Sequence, residues 1–286
     1  MKLVRAMRAL RPDWSQIAAG LVGALLLTAC SVNNAKKSYV LAEKFWGDGQ
    51  YAAAVLEFER AFAKDPKGKV GQQALYRAAL TQALFLSQHA EAIRKLKSYA
   101  ELTDDQQNLW EAKKLIGDLL FSKLEDYGHA DQHYRGLIQS NPKAPEAPEF
   151  LFRVAKSRFF LGDFEEAITL FRQLAKDRTK SAWAERAAFE IGITYFTRGE
   201  QNTAGATPLL EVYQEAIDAY EEFIKQYPTS ALIPEAKFGI ASCLEELDQL
   251  DAAYHAYEGL LNSYPSPKVI QIKLARIRER KAQRNR

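Results

Sequence analysis

The sequence predicts an all-α fold: a right-handed solenoid of about six helix pairs, closed by a C-terminal capping helix. Three observations predict it. First, a small residue stands one turn ahead of a large one again and again: Ala54 before Phe58, Ala92 before Leu96, Ala130 before Tyr134, Ala167 before Phe171, Ala216 before Tyr220, and Ala253 before Tyr257. Second, the intervals between these alanines are 38, 38, 37, 49 and 37 residues, a period that marks stacked helical arrays. Third, most of the pairs are closed by a proline (Pro66, Pro142, Pro228, Pro265), which cannot continue a helix. The small residue lets two helices approach, and the large one fills the space beside it. One helix pair cannot bury its apolar face alone, so copies stack.

The 286 residues suffice for one large or two ordinary domains, and the apolar content is that of a globular protein. The net charge of +3 conceals a strong polarity. Residues 30–267 carry 27 basic and 34 acidic side chains, whereas residues 268–286 carry eight basic ones and only Glu279 acidic. Basic residues are not spread over a face, so nothing points to nucleic acid. Two cysteines, Cys30 and Cys243, give no disulfide framework.

Residues 1–13 are basic and residues 17–29 apolar, the layout of a secretory signal peptide too short to span a membrane as a helix. Leu27-Thr28-Ala29-Cys30 resembles the bacterial lipobox. That resemblance implies cleavage before Cys30, palmitate-type acylation of Cys30 and, because Ser31 is not aspartate, an outer-membrane lipoprotein facing the periplasm. Residues 30–37 then read as a polar lipidated tether.

The first repeat runs from about Ser38 to Pro66, with Ala42 and Phe45 on its first helix, a turn at Gly47-Asp48-Gly49-Gln50, and Ala54, Phe58 and Ala61 on its second. Later units repeat the scheme less strictly. The fourth has Thr179 where proline is expected, and the fifth has Gly192, Tyr195, Ala216, Tyr220, Phe223 and Pro228. This spacing resembles the tetratricopeptide repeat. The links Tyr227-Pro228 and Tyr264-Pro265 resemble its envelope subgroup, which includes the lipoprotein of the outer-membrane β-barrel assembly machine and a periplasmic coordinator of the Tol–Pal system. Residues 38–142 are expected to hold repeats one to three, and 146–286 repeats four to six with the cap. The proline-rich stretch Asn141 to Pro148 between them is a stiff link, a hinge or a long loop. Residues 198–208 read as an inserted loop, either binding or neutral.

No glycine-rich phosphate loop, Gly-x-Ser-x-Gly or Cys-x-x-Cys occurs in the sequence, so an enzyme is not expected, and no cofactor is implied. His129 and His133 have a metal-compatible spacing, but no third ligand is evident, and a solvated pair is expected. The adjacent pairs Glu165-Glu166, Glu221-Glu222 and Glu245-Glu246 point in different directions on a helix and read as solvated faces.

Binding remains. The family resemblance implies a groove lined by the first helix of each pair, taking a peptide or helix of another envelope protein. In that register the groove positions are Tyr39, Glu43 and Trp46, then Arg77, then Phe152, Lys156 and Phe159, then Phe189 and Phe196, then Phe238 and Glu245. Phe152, Phe189 and Phe238 would form an aromatic stripe, the alternative being inter-repeat packing. Ile270, Leu274 and Ile277 give the tail an apolar stripe for capping the array, with its arginines in water or on an acidic partner or anionic lipid. The expected role is a lipid-anchored envelope scaffold, most closely that of β-barrel assembly. The alternatives are a Tol–Pal, peptidoglycan or motility-complex adaptor and, further off, a lipid-anchored enzyme.

Overall fold

The computed structural model describes residues 32–176, 181–201 and 209–284. The signal-like run, Cys30, Thr179 and residues 202–208 of the insertion lie outside them. Among the described residues there are thirteen helices and no strand. Helix α1 comprises residues 32–47. It is followed by α2 (Tyr51–Lys64), α3 (Lys69–Leu84), α4 (His89–Leu102), α5 (Gln106–Ser122), α6 (Tyr127–Ser140) and α7 (Ala147–Phe160). Then come α8 (Phe164–Ala175), α9 (Ala182–Glu200), α10 (Leu209–Gln226), α11 (Ile233–Glu246), α12 (Leu250–Glu258) and α13 (Pro267–Arg284). In the order of the sequence repeats, odd-numbered helices up to α11 are first helices and even-numbered ones second helices, and α13 is the cap. No helix among the described residues is long and apolar enough to cross a membrane.

The chain divides into two compact units, with the boundary between Leu124 and Glu125. In each, successive helices pack on one another as in an α-solenoid. The boundary is not at the proline-rich stretch: α6 and α7, on either side of that stretch, pack together within the second unit.

All twelve members of the small–large pairs are buried. In the first unit Ala54 and Phe58 meet Ala42, Ala74 and Ala78, and Tyr39, Phe45 and Trp46 close over that core. In the second, Tyr213, Ala216, Tyr220 and Phe223 join Ile168 and Ala188, while Ala253 and Tyr257 join Ile270, Leu274 and Ile277 of α13. Two glycines make this packing possible. A Cβ at Gly192 or at Gly239 would lie 2.5 Å from the ring of Tyr220, so that ring is held between two first helices.

The turns obey one rule. Gly49, Ser87, Glu125, Gly162 and Asp248 all have positive φ, and each lies two residues before a second helix begins. The left-handed conformation costs a residue with a side chain about 1–2 kcal/mol. Gly162 has φ +79°, and nothing lies within 4 Å of its absent Cβ. Gly162→Ala should therefore lower stability by about 1–2 kcal/mol through the backbone alone, read as a shift of the denaturation midpoint of the second unit. Side chains of Asp105, Asp126, Asp163 and Ser181 cap their helices by accepting backbone N–H bonds.

Two local expectations change and one is extended. Residues from 32 on are helical rather than a tether, because Ala35, Ser38 and Ala42 share a buried face and the Lys64 Nζ donates to Ser38 Oγ at 2.9 Å. Gly199, read as a loop glycine, lies inside α9, where its Cβ would meet the Tyr213 ring at 2.7 Å. The tail is a cap with the expected buried stripe, and most of its described basic residues, though partly exposed, also pair with acidic groups of the array. Lys273, Arg276 and Arg280 reach the carboxylate of Glu245, Arg280 and Arg284 reach Asp248, and Lys281 reaches Asp251.

Candidate interaction face on the first helices

In the first unit, α1 and α3 bring four of the expected residues together. Glu43 accepts from Arg77 Nε at 2.9 Å and from Nη2 at 2.8 Å, a bidentate pair. The same guanidinium lies 4.7 Å from the Trp46 ring centroid and 5.7 Å from that of Phe58. Tyr39 packs edge-on against Phe58. Burial, and then the neighbouring Glu43 carboxylate, raises its phenol above the usual tyrosine value, so it remains a neutral donor. Trp46 continues outward into Tyr51 and Phe85, which stack at 4.3 Å, and Phe85 is 45% exposed. An ion pair thus ends in an open aromatic ledge.

The second unit repeats the device with the charges exchanged. Lys156 Nζ on α7 donates to Glu190 on α9 at 3.0 Å. The two residues are 34 apart, the same interval as Glu43 and Arg77. Lys156 lies over Phe159 at 4.6 Å and Phe160 at 5.0 Å. Phe160 stacks on Tyr127 at 4.4 Å. In both units the first residue of one second helix (Tyr51, Tyr127) thus stacks on the end of the next first helix (Phe85, Phe160).

Other expected positions are engaged in packing: Phe152 and Glu245 are buried, whereas Phe189, Phe196 and Phe238 are half-buried. Phe152 is buried, 5.6 Å from Phe171 and 5.2 Å from Trp183. Phe189 lies against Tyr220 and Phe223, and Phe238 against Tyr257 and Tyr264. The stripe is therefore packing between the two helices of each pair: this register position faces the aromatic of the second helix. Phe196 likewise packs on Tyr213. Glu245 is 0% exposed and accepts from Tyr257 Oη at 3.1 Å and Lys273 Nζ at 2.9 Å, so it holds the cap. The Glu166 carboxylate, read as solvated, is paired with Arg135 and Arg158, which also bind buried Asp131. His129 is exposed and bonded to Asp126 at 2.8 Å. No group of three potential metal ligands occurs among the described residues.

Sequence reasoning missed Glu190 as the partner of Lys156. The signal was there: an acidic and a basic residue 34 apart, already seen at Glu43 and Arg77.

The architecture is that of a helical-repeat protein. Residues 149–181 and residues 210–266 each match a family model described as tetratricopeptide repeat. Both matches lie in the second unit. Curated protein sequences give no significant match. Among solved structures the chain is similar to a tetratricopeptide repeat protein from Parabacteroides merdae ATCC 43184, with 15% identity, TM-score 0.52, and 88% of this chain and 89% of that one covered. It is also similar to PilW, described as a widely conserved type IV pilus biogenesis factor, with 15% identity, TM-score 0.50, and 84% and 98% covered. A chain in the structure of Naa15/Naa10 bound to HypK-THB matches at 15% identity and TM-score 0.55, over 87% of this chain and 34% of that one. At these identities the likeness is one of fold.

Proposed function

We propose that this protein is a scaffold that binds protein partners along the first-helix face, anchored by lipid at Cys30 on the periplasmic side of a bacterial outer membrane, in an envelope complex such as the β-barrel assembly machine. The observation that carries the binding reading is the repeated rung of ion pair and aromatic, Glu43–Arg77–Trp46 and Glu190–Lys156–Phe159. Arginine and aromatic side chains that are partly open and already held in place suit hot-spot recognition at low entropic cost. The anchor reading rests on the Leu27-Thr28-Ala29-Cys30 motif and the apolar run before it. Acyl chains add about 0.8 kcal/mol per buried methylene, and anchoring raises the effective concentration of partners at the bilayer.

A second reading, an adaptor in pilus biogenesis, is favoured by the fold likeness to PilW over 98% of that chain.

Affinity purification in gentle detergent tests the proposal. Envelope proteins should co-purify, barrel-assembly components on the first reading and pilus components on the second. Arg77→Ala with Lys156→Ala should weaken recovery, each by about 2 kcal/mol or roughly 30-fold, with helix content unchanged. Cys30→Ser should move the protein from the membrane to the soluble fraction. Recovery of no envelope protein would count against the reading.

A further inference from the structure

The second unit has a cleft built from α8, α9 and α10, and none of its lining residues belongs to the rungs described above. It holds about 490 Å³ between α8 and α10, with α9 beneath. Its apolar lining is Ala175, Ala188, Ile191 and Ala219 together with the rings of Tyr195 and Phe223. The α10 wall presents Glu215, Asp218 and Glu222, and the opposite wall presents Arg172 and Lys176. Opposite charges thus face each other across an apolar trough, yet among the described residues no ion pair bridges them. Glu215 turns instead to Arg198, and Arg172 donates to Tyr195 Oη at 2.6 Å.

We propose that this cleft docks an amphipathic helix of a partner protein, one with a narrow apolar stripe, basic residues along one edge and acidic residues along the other. The charges argue for this occupant. They run lengthwise along two helices and do not converge on one point, so they match the two edges of a helix better than a small ion. The alanines of the lining let a backbone come close, and the volume takes the few stripe side chains that an i, i+3/i+4 pattern presents. A purely acidic or purely basic segment would meet one like-charged wall.

The test uses the full-length protein in detergent and a fluorescein-labelled 18-residue helical peptide. The peptide carries a Leu/Ala stripe with lysines along one edge and glutamates along the other. Anisotropy should show saturable binding. Asp218→Lys with Glu222→Lys, both at exposed positions, should weaken it at least tenfold, as should Ala219→Arg, which obstructs the trough. A probe with glutamate on both edges should bind at least tenfold more weakly, and Arg77→Ala with Lys156→Ala should leave binding unchanged. No saturable binding would overturn the assignment. So would affinity unchanged by the Asp218/Glu222 reversal, in a protein whose circular dichroism matches wild type, or a loss of binding caused by the Arg77 and Lys156 substitutions.

Discussion

Tyr220→Ala is expected to destabilise the second unit by about 3–5 kcal/mol, the cost of emptying a well-packed aromatic site. The ring is buried between Gly192 on α9 and Gly239 on α11, and Phe189 lies 5.9 Å away. It therefore joins one repeat to the next, and its loss loosens both contacts at once. The glycines are the other half of the same device. Gly239→Ala would set a Cβ 2.5 Å from the ring and is expected to cost about 1–3 kcal/mol by overpacking. The two changes should not add. With the ring gone, the methyl at 239 meets open space, so the double variant should be more stable than the sum of the singles implies, by about 1 kcal/mol or more. Denaturant melts of the four proteins measure this, with hydrogen exchange to localise the change to α9–α11. Strict additivity would refute the wedge.

Glu245→Ala is expected to release the cap. The carboxylate is buried and faces Tyr257, Lys273, Arg276 and Arg280. Removing one member of a buried charge cluster costs about 3–5 kcal/mol when the partners are stranded. Here the three cations are partly exposed, so about 2 kcal/mol is the expected loss. Apolar burial by α13 is modest, with Ile270, Leu274 and Ile277 its only buried residues, so that loss should be enough to free the helix. Amide exchange over residues 267–284 should accelerate about 30-fold while α9 and α10 stay protected. Glu245→Gln, which still accepts from Tyr257, should fall between the two. Unchanged protection of α13 would show that grease alone holds it.

Much of the fold was legible because its signals are local. Each small residue and the large one a turn later lie on one strip of one helix, and every such pair is buried. The second helices have a single buried face, so a stripe in the sequence finds it. The first helices pack against their own partner and against neighbouring repeats, which leaves only a narrow open strip. Periodicity cannot say which apolar position faces which neighbour. That is why the sequence leaves Phe152, Phe189 and Phe238 open between a surface stripe and packing, and the structure packs them on the second helices. It is also why Glu245 read as a groove residue and is the cap's anchor. Trp46, Arg77, Lys156 and Phe159 are placed on the first helices by the register of the family resemblance, and the structure sets each beside a charged or aromatic neighbour. Glu190 was passed over because its partner Lys156 lies on another helix, 34 residues away, a separation that only the fold closes; Asp131 likewise meets Arg158 of the next helix, besides Arg135 on its own.

The central claim is that the first-helix rungs hold envelope proteins. Site-specific photo-crosslinking in intact cells tests it most directly, with the photoreactive side chain placed at Trp46 or at Phe159 and, as a control, at exposed His255 on α12. Adducts with envelope proteins from the first two positions and none from the third are the result expected. A membrane-bound protein that gives no adduct from Trp46 or Phe159, or gives the same adducts from His255, would contradict the account.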